Sequence, residues 1–198
     1  GLFAQKAQVT VSLTLMTIFF AALISIPLGC YAGTHRKKAA ARLIDSLSLF
    51  FVSIPEFLIG LVLLLVFALK LRILPAGGWG STIPEHISSL ILPSFTGALM
   101  TASLVIRNIS ENIEKILKMD DVDFARSKGL SEGKIKRSYI LHNVLIPAVT
   151  LLAMRMTAML AGSIVIESVF ALPGLGQMML NAILSRDYPL VQATVYLF

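Results

Sequence analysis

Three ionisable side chains lie in or beside long apolar runs of this sequence: Glu56 directly after Pro55, Arg155, and Glu167. A charge at the centre of a bilayer costs at least about 2.5–3.5 kcal/mol on insertion scales, so each is expected to face a protein interior or an aqueous path. Such groups either relay ions and contact a solute or tie helices together, and Glu56 and Arg155 are suited to pair. Other reactive types are sparse. No GxxxxGK loop followed by Ser or Thr is present, and no Ser/His/Asp or paired-carboxylate arrangement stands out, so no catalytic residue and no catalysis are expected. His35, His86 and His142 fall in three different loops and are not expected to hold a metal. Cys30 is the sole cysteine, which excludes an internal disulfide or a multi-thiolate site and leaves it as a small apolar residue.

The segment from Arg107 to Asn143 concentrates charge, with eight of the seventeen Lys and Arg residues. Its centre reads DDVDFARSKGLSEGKIKRSYILHNVLIP. Asp120 or Asp121 is expected to cap a helix of about two turns that stops at Gly129, with Ser131 capping the next helix. So short a helix is below the ~12–15 residues needed for marginal stability alone in water, so something must pack against it. Phe124 is its largest apolar group, and the charges around it keep the segment out of lipid.

The elements that position these residues are membrane spans. Hydrophobic residues make up 56% of the 198, and mean hydropathy is +0.82. Four apolar runs reach spanning length: Val9 to Ala32, Leu43 to Leu69, Ile87 to Ile106 and Val144 to Ile166; a fifth starts near Pro189. The expected fold class is all-α, a polytopic transmembrane bundle with four complete spans and a truncated fifth. Because the chain opens at Gly1 and stops at Phe198 inside an apolar run, it is expected to be a piece of a longer polypeptide. A net charge of +6 invites a nucleic-acid reading, but twelve of the seventeen basic residues fall in two loops. Arg36, Lys37, Lys38 and Arg42 follow the first span, and the other eight separate the third from the fourth, which places both loops in the cytoplasm. The partner implied by that pattern is a lipid bilayer, not nucleic acid. Loops 70–86 and 167–188 are then external, 107–143 is cytoplasmic, and Trp79 suits an interface. Prolines at 27, 55, 93 and 147 are expected to bend the spans.

At DFARSKG the sequence resembles the inner-membrane permease subunits of ATP-binding-cassette importers, whose cytoplasmic loop carries EAAxxxG. Asp123 stands for the Glu, Phe124 and Ala125 for the two Ala, and Gly129 for the Gly. Past that point the usual I-x-L-P falls on Tyr139 to His142, where only Leu141 agrees. The chain is instead similar to the dipeptide, oligopeptide and nickel branch, with its ARxKGLSE and N-x-x-I-P elements. Ala125, Arg126, Lys128, Gly129, Leu130, Ser131 and Glu132 match the first of these, and Asn143, Ile146 and Pro147 the second. SIPEFLIGLVLLLVFALKLRILPAGG from Ser53 and VIESVFALPGLGQMMLNAILSRDYPLVQ from Val165 resemble the same branch, the latter in the version of the first of two paired permeases. The missing first helix of a six-helix subunit would precede Gly1.

This resemblance implies a pore subunit of the bacterial inner membrane that binds no cofactor itself, ATP being hydrolysed in partner chains. It implies two ATPase subunits, a sister permease forming a heterodimer, and an external solute-binding protein that sets most of the selectivity. Short peptides lead as cargo, with nickel, nickel chelates and glutathione-like compounds also implied. Asp121 to Lys128 would seat in a groove on the ATPase, and the LPGLG turn, Leu172 to Gly176, would form an outer gate or a docking surface. The path or gate candidates are Glu56, Arg155, Glu167, Pro173, Gly174, Leu175 and Gly176. Two alternatives remain: an ion-coupled carrier using Glu56, Arg155 and Glu167 as relays, and a membrane anchor that recruits a partner through the charged island.

Overall fold

The computed structural model describes residues 2–197, with side chains at all of these except 2, 132, 136–138, 142, 161–162 and 197. Among them the chain is helical throughout its ordered elements. Helix α1 spans Leu2–Thr34, α2 Ala39–Ser53, and α3 Glu56–Leu63, the last continuing as a π-helical stretch through Lys70. Then come α4 (Ile83–Leu117), α5 (Asp120–Ser127) and α6 (Glu132–Ile135), which leads through a second π-helical stretch, Lys136–Leu141, into α7 (His142–Gly162). Helices α8 (Ile164–Val169), α9 (Leu175–Leu184) and α10 (Tyr188–Leu197) complete the order.

Three helices are long and apolar enough to cross a membrane: Phe3–Thr34, Ile83–Leu117 and Gly133–Leu160. The expected second span is not one straight helix. Its two halves, Ala39–Ser53 and Glu56–Lys70, meet at 104° and count as a fourth crossing only if taken together. The break is local chemistry: Pro55 has no N–H and, by crowding Ile54, drives that residue out of helical conformation. Pro27, Pro93 and Pro147 are instead accommodated inside α1, α4 and α7. The fourth apolar run breaks at Ser163, leaving Glu167 on the separate α8. Residues 107–117, read from charge as loop, continue α4. Ile109, Ile113 and Ile116 recur at helical spacing and are buried, while Arg107 and Glu111 pair one turn apart at 3.6 Å on the other side. Helix α4 also starts earlier than its apolar run, because the Glu85 carboxylate caps its first turn, accepting from the Thr82 N–H at 3.2 Å and from the Ser81 N–H at 2.6 Å.

The chain forms two compact units, one from residues 2–20, 54–99 and 155–197, the other from 21–53 and 100–154. In the first, Val9 and Leu13 of α1, Leu90 and Leu92 of α4, and Ile166, Phe170 and Leu172 make a buried cluster. Phe170 is its centre: its ring lies against Gly60, and its carbonyl accepts from the Gly78 N–H at 3.0 Å. The second unit is built on close approach of α1 to α4. Gly29 and Gly33, one turn apart, present bare backbone to Ile109 and Ile113, and a Cβ at either glycine would stand 2.8 Å from the facing isoleucine. This small-xxx-small packing lets helices associate where lipid removes the hydrophobic drive between them. Arg36 reinforces the contact through an ion pair with Glu114 at 2.7 Å, and Lys118 shares that carboxylate at 2.8 Å.

Candidate functional site

The eight residues of α5 make a rod about 12 Å long. Its helix dipole is well matched: Asp120, Asp121 and Asp123 occupy the first turn and Arg126 the last. No aspartate caps it, contrary to expectation. The N-cap is Met119, in extended conformation and without a side-chain cap, and Asp120 is already helical. The stop is as expected. Gly129 takes φ +78°, its N–H bonds the Arg126 carbonyl at 2.9 Å, and the Leu130 N–H reaches back to Ala125 O at 3.2 Å, the paired bonds of a Schellman motif. The next helix begins directly after Ser131, whose carbonyl accepts from Lys134 and Ile135.

Two faces of this rod differ. Val122 and Ala125, three residues apart, are each 1% exposed and anchor the helix in its own unit. Phe124 turns the other way and is 61% exposed, with the Lys128 ammonium 4.4 Å from its ring centroid. Arg126 pairs with Asp123 at 3.1 Å on the surface. Asp121, Ser127 and Gly129 are exposed and Leu130 is half-buried. Cation–π contact and surface pairing are each worth no more than about 1 kcal/mol here. The anchor is therefore the Val122–Ala125 side, and sequence reading fixed on Phe124 alone missed Val122. Its i, i+3 relation to Ala125 was the available signal.

The first unit holds a second, very different arrangement. Glu167 is fully buried, and its carboxylate accepts hydrogen bonds from Thr10 Oγ1 at 2.7 Å, Ser163 Oγ at 2.8 Å and the Gln177 N–H at 2.8 Å. Thr10 Oγ1 in turn accepts from the Leu175 N–H at 2.9 Å. Gly174 is the N-cap of α9 and supplies no side chain, so Glu167 caps that helix from a distance, a carboxylate at the positive end of the dipole. The glycines of the LPGLG turn follow from this: a Cβ on Gly174 would collide with the carboxyl group itself, and one on Gly176 would lie 3.0 Å from Glu167 Oε2. Leu175 is buried and Pro173 half-buried. Glu167, Gly174, Leu175 and Gly176 thus come together as one polar knot, while Thr10, 157 residues away, was not legible as a member.

Glu56 and Arg155 are both half-buried, and Arg155 acts on Glu56 through its charge, but the two do not close into an ion pair. His35 stacks on Tyr31 at 4.7 Å and His86 on Trp79 at 4.3 Å. The His142 and Glu132 side chains lie outside the described residues, among which no group of three potential metal ligands occurs.

A multi-pass helical chain with a short charged helix between two long spans defines a class. Residues 25–198 match the binding-protein-dependent transport system inner membrane component family, and the chain belongs to it. This makes it a multi-pass component of the bacterial inner membrane. It is similar to the glutathione transport system permease protein GsiC of Salmonella paratyphi A, 35% identical over 195 residues, 98% of this chain and 62% of that protein. The protein of the same name from Escherichia coli (strain K12) is 33% identical over the same length. The chain thus spans 62% of the length of these curated relatives. Its fold matches a chain from inward-facing crystal structures of the MetNI methionine ABC transporter with TM-score 0.71 at 18% identity, covering 99% of this chain and 89% of that one.

Proposed function

We propose that this chain is the membrane-spanning pore subunit of an ATP-driven importer of short peptides, worked by separate cytoplasmic ATPases through α5. The observation that carries this is the two-faced rod: Val122 and Ala125 fasten it to its own unit while Phe124 stands out into solvent among charges. An exposed aromatic on a short, fixed helix is a suitable anchor for a groove on a partner. Family membership supports an ATPase partner and a transport role, and the GsiC relatives, described as glutathione permeases, support small peptides as cargo.

In this reading ATP-driven closure of two ATPases displaces α5, and Gly129 passes the motion through α6 to α7, shifting the bundle between inward-open and outward-open states. A sister permease completes the pore, and an external binding protein delivers the solute near the LPGLG turn. Residues 107–143 and 36–42 are cytoplasmic. ATP binds in the partner chains and no cofactor binds here. The Glu167 knot speaks against a proton relay through that residue, since its three hydrogen bonds serve to hold a turn. The test is reconstitution of the full-length subunit with its sister permease, ATPases and binding protein in proteoliposomes. ATP-dependent dipeptide uptake, with a cysteine at position 124 cross-linking to an ATPase subunit, is the expected result. Uptake driven by an ion gradient without ATP would overturn the reading.

A further inference from the structure

A pocket of about 190 Å³ in the second unit is lined by Arg36, Asp45, Leu49, Arg107, Ser110 and Glu111. It brings both signs of charge to one place from the segment after α1, from α2 and from α4. The charges are unequally committed. Arg36 holds Glu114 at 2.7 Å, and Arg107 reaches Glu111 only at 3.6 Å, which leaves most of the five donors of its guanidinium available. Asp45 makes no ion pair among the described residues. Ser110 lines the same wall, 1% exposed, its hydroxyl without a hydrogen-bond partner, as are those of Ser25 and Ser94 elsewhere among the described residues.

We propose that this pocket binds a zwitterionic solute, a short peptide, through both of its ends. Its carboxylate is held by Arg107 and its ammonium by Asp45. The volume is below the ~300–1,000 Å³ usual for drug-sized ligands, so the pocket takes the backbone of a dipeptide and leaves larger side chains outside. Recognition of the backbone termini alone would make the site indifferent to side-chain identity, as suits a pore whose selectivity lies with a separate binding protein. The inference rests on the importer reading above and adds to it a solute site near the inner mouth of the path.

The test uses the assembled transporter, with sister permease and ATPases, in nanodiscs without binding protein. Equilibrium binding of labelled dialanine is measured against N-acetyl-dialanine and dialanine amide. Saturable binding is expected, weakened about tenfold by either modification, the loss typical of one charge-assisted contact. Asp45→Asn is expected to weaken dialanine by a similar factor and to abolish the preference over the N-acetylated form, because the two changes remove one interaction. No saturable binding, or equal binding of free and modified peptides by the unaltered complex, overturns the proposal without need of any variant. Multiplying losses for Asp45→Asn and N-acetylation overturn the role of Asp45. Stimulation of ATPase by the binding protein, measured in the unaltered complex, separates the two readings. Stimulation without peptide binding sinks the pocket alone, and peptide binding without stimulation sinks the importer.

Discussion

Helix α5 ends at Gly129, left-handed at φ +78°, with nothing within 4 Å of where a side chain would stand. Helix α8 ends at Ala171, also left-handed at φ +49°, with the same pair of back-reaching bonds: Leu172 N–H to Glu167 O at 2.8 Å and Ala171 N–H to Ser168 O at 3.3 Å. The stops share a geometry and differ in what surrounds them. Beyond α5 the chain is open, and its glycine lets the backbone turn without strain. Beyond α8 the turn places an alanine in a conformation that costs an L-residue about 1–2 kcal/mol, and the Glu167 knot then fixes the following five residues. The first stop leaves open space around its glycine, whereas the second is held in place by buried hydrogen bonds.

Removing the knot should have the largest effect on stability. Glu167→Ala strands the Thr10 and Ser163 hydroxyls and uncaps α9 in a buried site, with an expected loss of about 3 kcal/mol or more and a lower thermal midpoint of the purified subunit. Next, Gly174→Ala should cost about 1–3 kcal/mol, because the added methyl occupies the carboxyl position. At the other stop, Gly129→Ala meets no neighbour, so only the left-handed penalty of about 1–2 kcal/mol applies, confined to α5. Denaturation of the membrane core should be nearly unchanged by it while ATPase coupling falls. Equal thermal shifts for Gly174→Ala and Gly129→Ala would erase the contrast. The smallest effect is a gain. Ala171→Gly relieves strain and loses some of the benefit to unfolded-chain entropy, for a net of about 0.5 kcal/mol in thermal melts.

Much of the α5 segment was legible in the sequence, because its information is local. Gly129 after a two-turn run, acids in the first turn and charges around Phe124 all act within a few residues, and α5 falls where they indicate. The cap failed because three aspartates within four positions offer several starts, and Met119 took the N-cap while all the acids joined the first turn. The fixed turn was legible only in part. LPGLG announced a turn, and Ser163 and Glu167 stand one helical turn apart, but Thr10 reaches them across 157 residues, which no spacing rule encodes. Span boundaries moved for physical reasons of the same kind. Hydropathy registers the apolar run 43–69 as continuous, and it is the backbone of Ile54 and Pro55 that breaks it.

The central claim is that Phe124 engages a partner and not the subunit's own core. The most direct measurement is Phe124→Ala in the assembled transporter, with thermal midpoint and ATP-dependent peptide uptake recorded on the same preparation. A side chain already 61% exposed contributes little to the fold, so the midpoint should stay within about 1 °C while uptake falls at least about tenfold. Unchanged uptake, or a loss of uptake explained by an equal loss of folded subunit, would contradict the account.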